Sequence, residues 1–375
     1  MAGPTSHRRR TRALTLSTAL GTALALALTG CSLTSSDEPK PATDATASPD
    51  AGATTGGTVT LVTHDSFVLS DGLLESFTDE TGIDVEVVQP GDAGALVNQL
   101  VLTKDAPLGD AVFGIDNSFA SRAITEGVLA PYTARGDAAA DAAGFAVEGD
   151  DDGALTAIDF GDVCLNVDTS WFAEHELAAP TSLDDLTKPE YKDLLVVPNA
   201  VTSSPGFAFL LATVGAKGAA WPEYWTALKA NGLKVADGWS DAYFTDFSGG
   251  GGQGPRPVVL SYASSPPSTV PEGGTEPTTA ALLDTCFRQV EYAGVLAGAQ
   301  NPTGAQALID FLLSDEVQAD IPGSMYMYPV SSAVELPDEW TRFAPLAANP
   351  FEVAPAEIAA NRDLWLTTWS DTVIG

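Results

Sequence analysis

The chain has 375 residues and is strongly acidic, with 17 Lys and Arg against 50 Asp and Glu and a formal net charge of −33. So acidic a protein is poorly suited to bind phosphate backbones, which excludes nucleic acid as a partner. After the N-terminal region, about 320 residues remain, which is too many for one typical core and predicts two lobes.

The N-terminus predicts export and lipidation. Residues 7–12 read HRRRTR, residues 13–28 form an apolar stretch, and residues 28–31 read LTGC. This order is typical of a secretory signal that ends in a lipobox, and the apolar run is shorter than the roughly 20 residues that span a membrane. We therefore expect residues 1–30 to be a signal peptide and Cys31 to carry the lipid that anchors the protein to the outer face of the cytoplasmic membrane.

The next segment, residues 31–56, is rich in Ser, Thr, Pro, Ala and Gly and has no apolar period. A segment of this composition cannot bury a core. We expect it to be a disordered tether between the anchor and the folded part.

Strands and helices alternate after the tether. The apolar patterns predict a βαβαβ order, which is typical of a parallel sheet covered by helices. We expect Ser70 to cap the first helix and Gly82 to end it. The predicted strands are 58–64, 83–90 and 109–116, and the predicted helices are 69–82 and 92–105.

Polar residues follow two of these strands at the carboxyl end. In open α/β sheets, ligands bind beyond the carboxyl ends of the strands, so these residues are predicted to line a binding site. They are His64, Asp65 and Ser66 after the first strand and Asp116 with Asn117 at the end of the third.

The second half of the chain repeats the pattern, with strands predicted at 155–168 and 257–267 and a helix after the turn TSSPG at 202–206. Hydroxyls and free N–H groups at a helix N-terminus suit an anion or a hydroxyl group, which makes Ser203, Ser204 and Gly206 candidate ligand contacts. The alternative is an ordinary N-cap.

Three stretches place aromatic residues among Gly, Ser and Asp, namely 237–244, 260–265 and 323–332. Aromatic rings pack against planar or cationic ligands. Together with Asp65 and Asp116 they predict a cleft of aromatic faces and carboxylates that selects a flat cation. The candidates from these stretches are Trp239, Tyr243, Tyr262, Ser265, Tyr326 and Tyr328.

Eight motifs in one order carry a resemblance to a known family. They are THDSF, GIDNS, AIDFGDVCLNVD, TSSPGFAFLL, DGWSDAY, VVLSYASSP, IPGSMYMYPV and VAPAEIAANRDLWLTTWSD. In sequence and spacing the chain resembles the thiamine-binding proteins of bacterial ABC importers. The resemblance implies an α/β fold of the two-lobed periplasmic-binding type (type II) that closes on thiamine or its phosphates. It implies a monomer without cofactor, catalytic residue or metal that delivers its ligand to an ABC permease. The positions that match ligand-contacting or cleft-lining family positions are Asp65, Asp116, Ser203, Trp239, Tyr262 and Tyr326.

The chain departs from the family pattern at several stacking positions. His64 replaces a frequent Tyr, the Trp usual near Asp71 is missing, Ser268 replaces an aromatic residue, and Tyr326 replaces a Trp. Either Tyr243 or Tyr328 compensates, or the ligand differs somewhat.

The resemblance also implies the domain organisation. Lobe 1 is expected at 57–160, with 288–340 returning to it, lobe 2 at 161–287, and a C-terminal helical segment at 341–375. The segments around Cys164 and Cys286 are then the two crossings between lobes, which run side by side. Because these cysteines are the only pair left in an exported chain after lipidation of Cys31, we expect them to form a disulfide.

Two other functions fit parts of the sequence. A carboxylate-lined cleft also suits polyamines or other organic cations. A thiaminase-like enzyme would use Cys164 as nucleophile and Glu291 as base, but the lipobox favours transport and a disulfide would remove the nucleophile. The chain has no His pair spaced as metal ligands and no GxSxG or Walker motif.

Overall fold

The computed structural model describes residues 56–375. The predicted signal peptide, the lipidation site Cys31 and all but the last residue of the predicted tether 31–56 lie outside the described residues. Within residues 56–375, none of the helices combines the length and apolar character that a membrane span requires.

Strands and α-helices alternate from residue 57 to residue 217, and the βαβαβ order that the apolar patterns predict is found at its start. The strands are β1 (Gly57–Thr63), β2 (Ile83–Val88), β3 (Ala111–Asp116), β4 (Leu129–Ala130), β5 (Thr156–Asp168), β6 (Leu195–Pro198), β7 (Lys234–Ala236), β8 (Val258–Tyr262), β9 (Thr279–Leu296) and β10 (Tyr328–Pro329). The α-helices are α1 (Leu73–Thr81), α2 (Ala93–Leu102), α3 (Ala120–Glu126), α4 (Ala139–Ala142), α5 (Thr169–Glu174), α6 (Ser204–Lys217), α7 (Trp221–Ala230), α8 (Pro302–Leu312), α9 (Asp315–Ser324), α10 (Asp338–Phe343) and α11 (Pro355–Val373). A π-helical segment, Asp241–Asp246, lies between β7 and β8.

The sheet has a parallel group of strands at each end and two long antiparallel strands between them. Its order is β2-β1-β3-β9-β5-β8-β6-β7. β1 is parallel to β2 and β3, and β6 is parallel to β7 and β8. We call the part built on β1, β2 and β3 the first lobe and the part built on β6, β7 and β8 the second lobe.

The long strands β5 and β9 belong to both lobes. They pair with each other from Thr156 opposite Ala293 to Asp168 opposite Thr279. β9 also pairs with β3 of the first lobe, and β5 also pairs with β8 of the second lobe. This topology confirms the predicted two-lobed α/β fold with two adjacent crossings, whereas the predicted lobe boundaries at single residues stay a prediction.

The predicted start of the first helix is wrong. α1 begins at Leu73, and Gly72, with φ of 95°, occupies the N-cap position without a side-chain cap. Ser70 instead donates its backbone N–H and its hydroxyl to the carboxylate of Asp320. A positive φ is accessible to glycine at little cost, so the N-cap position falls at Gly72, two residues after Ser70. Gly82 ends the helix in the left-handed conformation, as predicted.

Cys164 of β5 and Cys286 of β9 form the predicted disulfide, with Cα atoms 4.2 Å apart. Both residues are fully buried, and they pack with Ala263 and Ala347. A sulfur held in a disulfide is not a thiolate nucleophile, so the thiaminase-like use of Cys164 is wrong for this structure.

The C-terminal helix α11 contacts both lobes. Its Trp369 packs edge to face on Trp225 of α7, with ring centroids 5.6 Å apart. Its Arg362 lies over Phe119, next to α3, and over Phe207 of α6. The helix therefore closes the side of the molecule where the two lobes meet.

Candidate functional site

A cleft between the lobes holds about 890 Å³ of space, its open mouth included. Contributions to its wall come from the ends of β1 and β8, the N-termini of α2 and α6, the π-helical segment and the loop after α9. Eight of the residues predicted from the sequence line it. They are His64, Ser66, Ser204, Trp239, Tyr243, Tyr262, Ser265 and Tyr326.

Three further predicted residues lie beside or beneath the cleft. Asp65 lines a neighbouring hollow, and Asp92 lines both this hollow and the cleft. Asp116 is fully buried and accepts hydrogen bonds from Ser118 and from the hydroxyl of Ser204. Asn117 binds the backbone of β9, because its side-chain amide donates to the carbonyl of Arg288 at 3.0 Å. A direct ligand contact from any of the three stays a prediction.

The other three predicted residues have structural positions away from the cleft wall. Ser203 caps α6, since its hydroxyl accepts the N–H of Gly206 at 3.3 Å, which is the ordinary N-cap alternative. Gly206 packs so tightly on the preceding loop that a Cβ there would lie 2.7 Å from the carbonyl oxygen of Asn199. Tyr328 is buried, donates its hydroxyl to the carbonyl of Ala344 and packs on Trp340. Tyr328 therefore does not replace a stacking residue of the cleft.

The cleft also contains residues that the sequence did not single out as ligand contacts. Asp92 precedes a helix and resembles an ordinary N-cap, and Glu291 was considered only as the base of an enzyme. Phe244 ends the aromatic stretch 237–244, from which only Trp239 and Tyr243 were taken as candidates. The lining residues outside the prediction are Asp92, Ala93, Pro205, Phe244, Gly250, Ser268, Glu291, Met325 and Met327.

Asp92 joins the N-termini of two helices from different lobes. Its carboxylate accepts the backbone N–H of Ala93 at 2.6 Å, of Ser204 at 3.0 Å and of Trp239 at 3.2 Å. Burial raises the pKa of Asp92, and the donated hydrogen bonds offset only part of that rise. The carboxylate thus occupies the electropositive end of α6, where an anionic ligand group would otherwise find its donors.

Three buried carboxyl groups form one row across three neighbouring strands. Asp116 of β3 and Asp159 of β5 both lie opposite Glu291 of β9. Directly opposite residues of antiparallel strands project from the same face of a sheet, so the three side chains share one face. We call them the acid row. Glu291 is the member that lines the cleft.

Burial dominates the ionisation of the acid row. It raises the pKa of Asp116 to about 7, and together with the charge of Glu291 it holds the pKa of Asp159 well above its usual range. Neither carboxyl oxygen of Asp159 meets a hydrogen-bond donor among residues 56–375. Burial alone would also raise the pKa of Glu291, but the charge of His64 and hydrogen bonds lower it. Burial therefore opposes full ionisation of the row.

His64 is the basic side chain that faces this row. Its Nε2 lies 3.5 Å from a carboxylate oxygen of Glu291, and its Nδ1 accepts the backbone N–H of Ser66 at 3.2 Å. That second bond leaves the proton of the neutral ring on Nε2, towards Glu291. Burial on its own would lower the pKa of His64, but the charges of Glu291, Asp92 and Asp65 outweigh burial and raise it.

The opposite wall of the cleft is aromatic. The indole N–H of Trp239 donates to Ser261 at 3.0 Å, and the ring of Tyr243 stacks on the indole with centroids 5.1 Å apart. Tyr262 meets the same indole nearly edge on at 6.3 Å. Tyr326 has a left-handed backbone with φ of 57°, and its carbonyl accepts the hydroxyl of Ser264. Such strained residues occur often at ligand clamps.

The site thus combines aromatic surface with buried carboxyl groups. The aromatic rings offer π faces to a planar or cationic ligand, and Glu291 with Asp92 offers negative charge. Among residues 56–375, no group of three His, Cys, Asp or Glu side chains is placed to hold a metal ion. The arrangement is suited to hold a flat, positively charged solute.

Comparison with known proteins gives consistent matches over the folded part. The family model described as "Bacterial extracellular solute-binding protein" matches residues 107–347. The chain is 28% identical over 320 residues to the "Thiamine-binding periplasmic protein" of Escherichia coli (strain K12), which covers 84% of this chain and 93% of that protein. It is 29% identical over 322 residues to the protein of the same description from Brucella suis biovar 1 (strain 1330), covering 83% and 91%.

A solved structure described as "Periplasmic thiamin binding protein" superposes with a TM-score of 0.72 at 27% sequence identity and covers 84% of this chain and 96% of that one. The range of the family model, residues 107–347, contains both crossings, β5 and β9. Because the family model covers more than half of the chain, the protein belongs to the bacterial extracellular solute-binding proteins.

Proposed function

We propose that this protein captures thiamine outside the cytoplasm and delivers it to an ABC permease. The observation that carries the proposal is the cleft, where an aromatic wall faces buried carboxyl groups. Thiamine joins two flat rings, one of them a thiazolium cation, and therefore needs both surfaces. The names of the relatives support the same ligand.

The geometry suggests a role for each wall. Trp239 and Tyr326 supply flat surfaces for the rings, and Glu291 with Asp92 supplies negative charge and hydrogen-bond acceptors for the aminopyrimidine and the thiazolium. Ser204 lies at the start of α6 and is the candidate contact for the hydroxyethyl end. Because the N–H of Ser204 already binds Asp92 at 3.0 Å, a phosphate would meet a carboxylate there. We therefore expect thiamine to bind more tightly than its phosphates.

The test is calorimetry on the mature chain with Cys31→Ser, which leaves the lipid off and keeps the folded part unchanged. We expect a dissociation constant below about 1 μM for thiamine, as scavenging requires. Thiamine monophosphate, thiamine diphosphate and spermidine are the comparison ligands. Absence of heat and of a thermal shift with thiamine at that concentration would refute the proposal.

One observation favours a second ligand class. The acid row and Asp92 would also attract a polyamine, whose charges need carboxylates but no aromatic stack. Spermidine binding more tightly than thiamine would identify the protein as a polyamine-binding member of the family.

We also propose that Cys31 carries a lipid that holds the mature chain at the outer face of the cytoplasmic membrane. The basis is the sequence order at 7–31. Labelling cells with a palmitate analogue should mark the wild-type protein and leave Cys31→Ser unmarked. Equal labelling of both would contradict the anchor.

A further inference from the structure

The aromatic rings that line the cleft differ greatly in exposure. Tyr243 is only 4% exposed because it is stacked against Trp239. Tyr326 is 39% exposed and Phe244 is 55% exposed. Phe244 is thus the most exposed aromatic residue that lines the cleft, although it carries no polar atom that would explain contact with water.

The π-helical segment Asp241–Asp246 accounts for the position of Phe244. The segment closes with a bond from the N–H of Phe247 to the carbonyl of Ala242, five residues earlier. This wider turn presents two consecutive rings to the same side, Tyr243 against Trp239 and Phe244 at the cleft. π-helical turns are rare and occur frequently at functional sites.

The neighbourhood holds the Phe244 ring in place. The ring meets Trp239 edge to face with centroids 5.4 Å apart and meets Tyr243 in the same way at 5.3 Å. The backbone behind it is packed by Gly252, where a Cβ would lie 2.8 Å from the carbonyl oxygen of Phe244. The ring is therefore held by two neighbouring rings while 55% of the residue stays exposed, which is the arrangement expected of a preorganised ligand contact.

Phe244 and Tyr326 come from different parts of the molecule. Phe244 lies between β7 and β8 of the second lobe. Tyr326 follows α9 and precedes β10, which pairs with β5 at Phe160. Two partly exposed rings thus line one cleft from separate segments.

We propose that Phe244 is a specificity-determining residue whose ring covers a flat aromatic cation on the side opposite Tyr326. The proposal rests on the proposed function and extends it, because the sequence analysis left open which residue compensates for the missing aromatic positions. Tyr243 is buried by Trp239 and Tyr328 lies in another cluster, so Phe244 is the ring that is free to do so. A polyamine has no flat face to stack, so its binding gains little from the Phe244 ring.

The test compares a flat aromatic cation with a flexible cation that has no ring. The mature chain with Cys31→Ser is titrated with thiamine and with spermidine, alone and with Phe244→Ala, Phe244→Leu or Phe244→Trp. Leu364→Ala is the matched control, because Leu364 is 65% exposed on α11 and does not line the cleft. The melting temperature of each variant is recorded alongside.

We expect Phe244→Ala to weaken thiamine binding by about tenfold or more, since stacking and cation–π contact are both lost, and to change spermidine binding by less than about threefold. Phe244→Leu keeps apolar area without a π face and should also weaken thiamine binding. Phe244→Trp should retain it, and Leu364→Ala should change neither ligand. Because the side chain is more exposed than buried, melting temperatures should stay close to that of the parent.

Each other outcome is decisive. Thiamine binding within about twofold of the parent in both Phe244→Ala and Phe244→Leu overturns the inference and leaves the proposed function standing. Equal losses for thiamine and spermidine overturn the specificity role. If Phe244→Ala does not fold, Phe244→Leu decides the question. If the parent does not bind thiamine, the proposed function fails and the inference fails with it.

Discussion

At the scale of single residues, the pair formed by His64 and Glu291 decides the charge of the cleft. The two side chains are nearly buried and 3.5 Å apart. A buried carboxylate without a partner is costly, and His64 beside Glu291 offsets part of that cost. An entering cation would take over this role from His64.

The His64 pair should make stability depend on pH. The pKa of His64 is raised in the folded state above its ordinary value of 6.5. Its contribution to the free energy of unfolding is therefore complete below pH 6.5 and is lost as the pH rises through the folded-state pKa. In urea unfolding, the difference in free energy between wild type and His64→Gln should therefore be larger at about pH 6 than at about pH 8.5. His175→Gln, at the exposed surface, is the control. A difference that stays constant or grows with pH would contradict the pairing.

Trp239 should contribute more to ligand binding than to folding. Its indole lies at the cleft with one face stacked on Tyr243. A desolvated cation–π contact is worth about 2 kcal/mol, so Trp239→Ala should weaken thiamine binding by about thirtyfold. Trp239→Phe, which keeps a ring, should lose less. An unchanged dissociation constant rules out the stacking role, and loss of the folded state instead identifies Trp239 as a core anchor.

At the scale of secondary structure, local patterns predicted the order of the elements correctly. The spacing of apolar residues distinguishes strand from helix within short stretches such as 58–64 and 92–105, and β1 and α2 form there. The disulfide was also predictable, because only one pair of cysteines remains in the exported part. The resemblance to a known family supplied the assumption that the two crossings lie side by side.

Features that depend on strand register could not be predicted in this way. Asp116, Asp159 and Glu291 are far apart in sequence and meet only because β3 and β5 pair with β9 at the same level. The pairing of His64 with Glu291 has the same origin. The π-helical turn was not predictable either, because it adds one residue to a helical turn without a characteristic residue type. The missed site residues are therefore those placed by long-range packing.

The disulfide should stabilise the crossings without affecting the site. It joins β5 to β9 across a separation of 122 residues, and bridges over long loops contribute roughly 2 to 5 kcal/mol. The double variant Cys164→Ala/Cys286→Ala should lose stability in that range in urea unfolding. Thiamine affinity should stay within about twofold, because neither cysteine lines the cleft. Equal free energies of unfolding for the wild type and the double variant would show that β5 and β9 stay together without the disulfide.

The acid row should release protons when a cation binds. A positive charge beside Glu291 stabilises ionised carboxylates, so the pKa of Asp116, which burial raises to about 7, should fall. Calorimetry at about pH 7 in buffers of different ionisation enthalpy should show net proton release on thiamine binding. Asp116→Asn should release fewer protons. The same binding heat in every buffer would mean that ligand binding does not change the protonation of the acid row.

At the scale of the whole molecule, hydrogen bonds between cleft-lining segments join the two lobes. Asp92 of the first lobe accepts the N–H groups of Ser204 and Trp239 from the second. The N–H of Ala95 donates to the carbonyl of Thr202 at 3.0 Å. These bonds join the start of α2 to the start of α6. A hinged opening would break them together with the hydrogen bond from the Ser204 hydroxyl to Asp116 of β3.

Closure should therefore depend on both the ligand and Asp92. If β5 and β9 act as the hinge, saturating thiamine should reduce the radius of gyration in small-angle scattering, because a ligand held by both lobes favours the closed arrangement. Asp92→Ala removes the acceptor that joins the helices, so without ligand its radius should equal or exceed that of the wild type. Asp65→Ala is the control, since Asp65 lies beside the same helices but accepts no hydrogen bond from the second lobe among residues 56–375. If all three proteins give one profile with and without ligand, the cleft is rigid and binding requires no movement of the lobes.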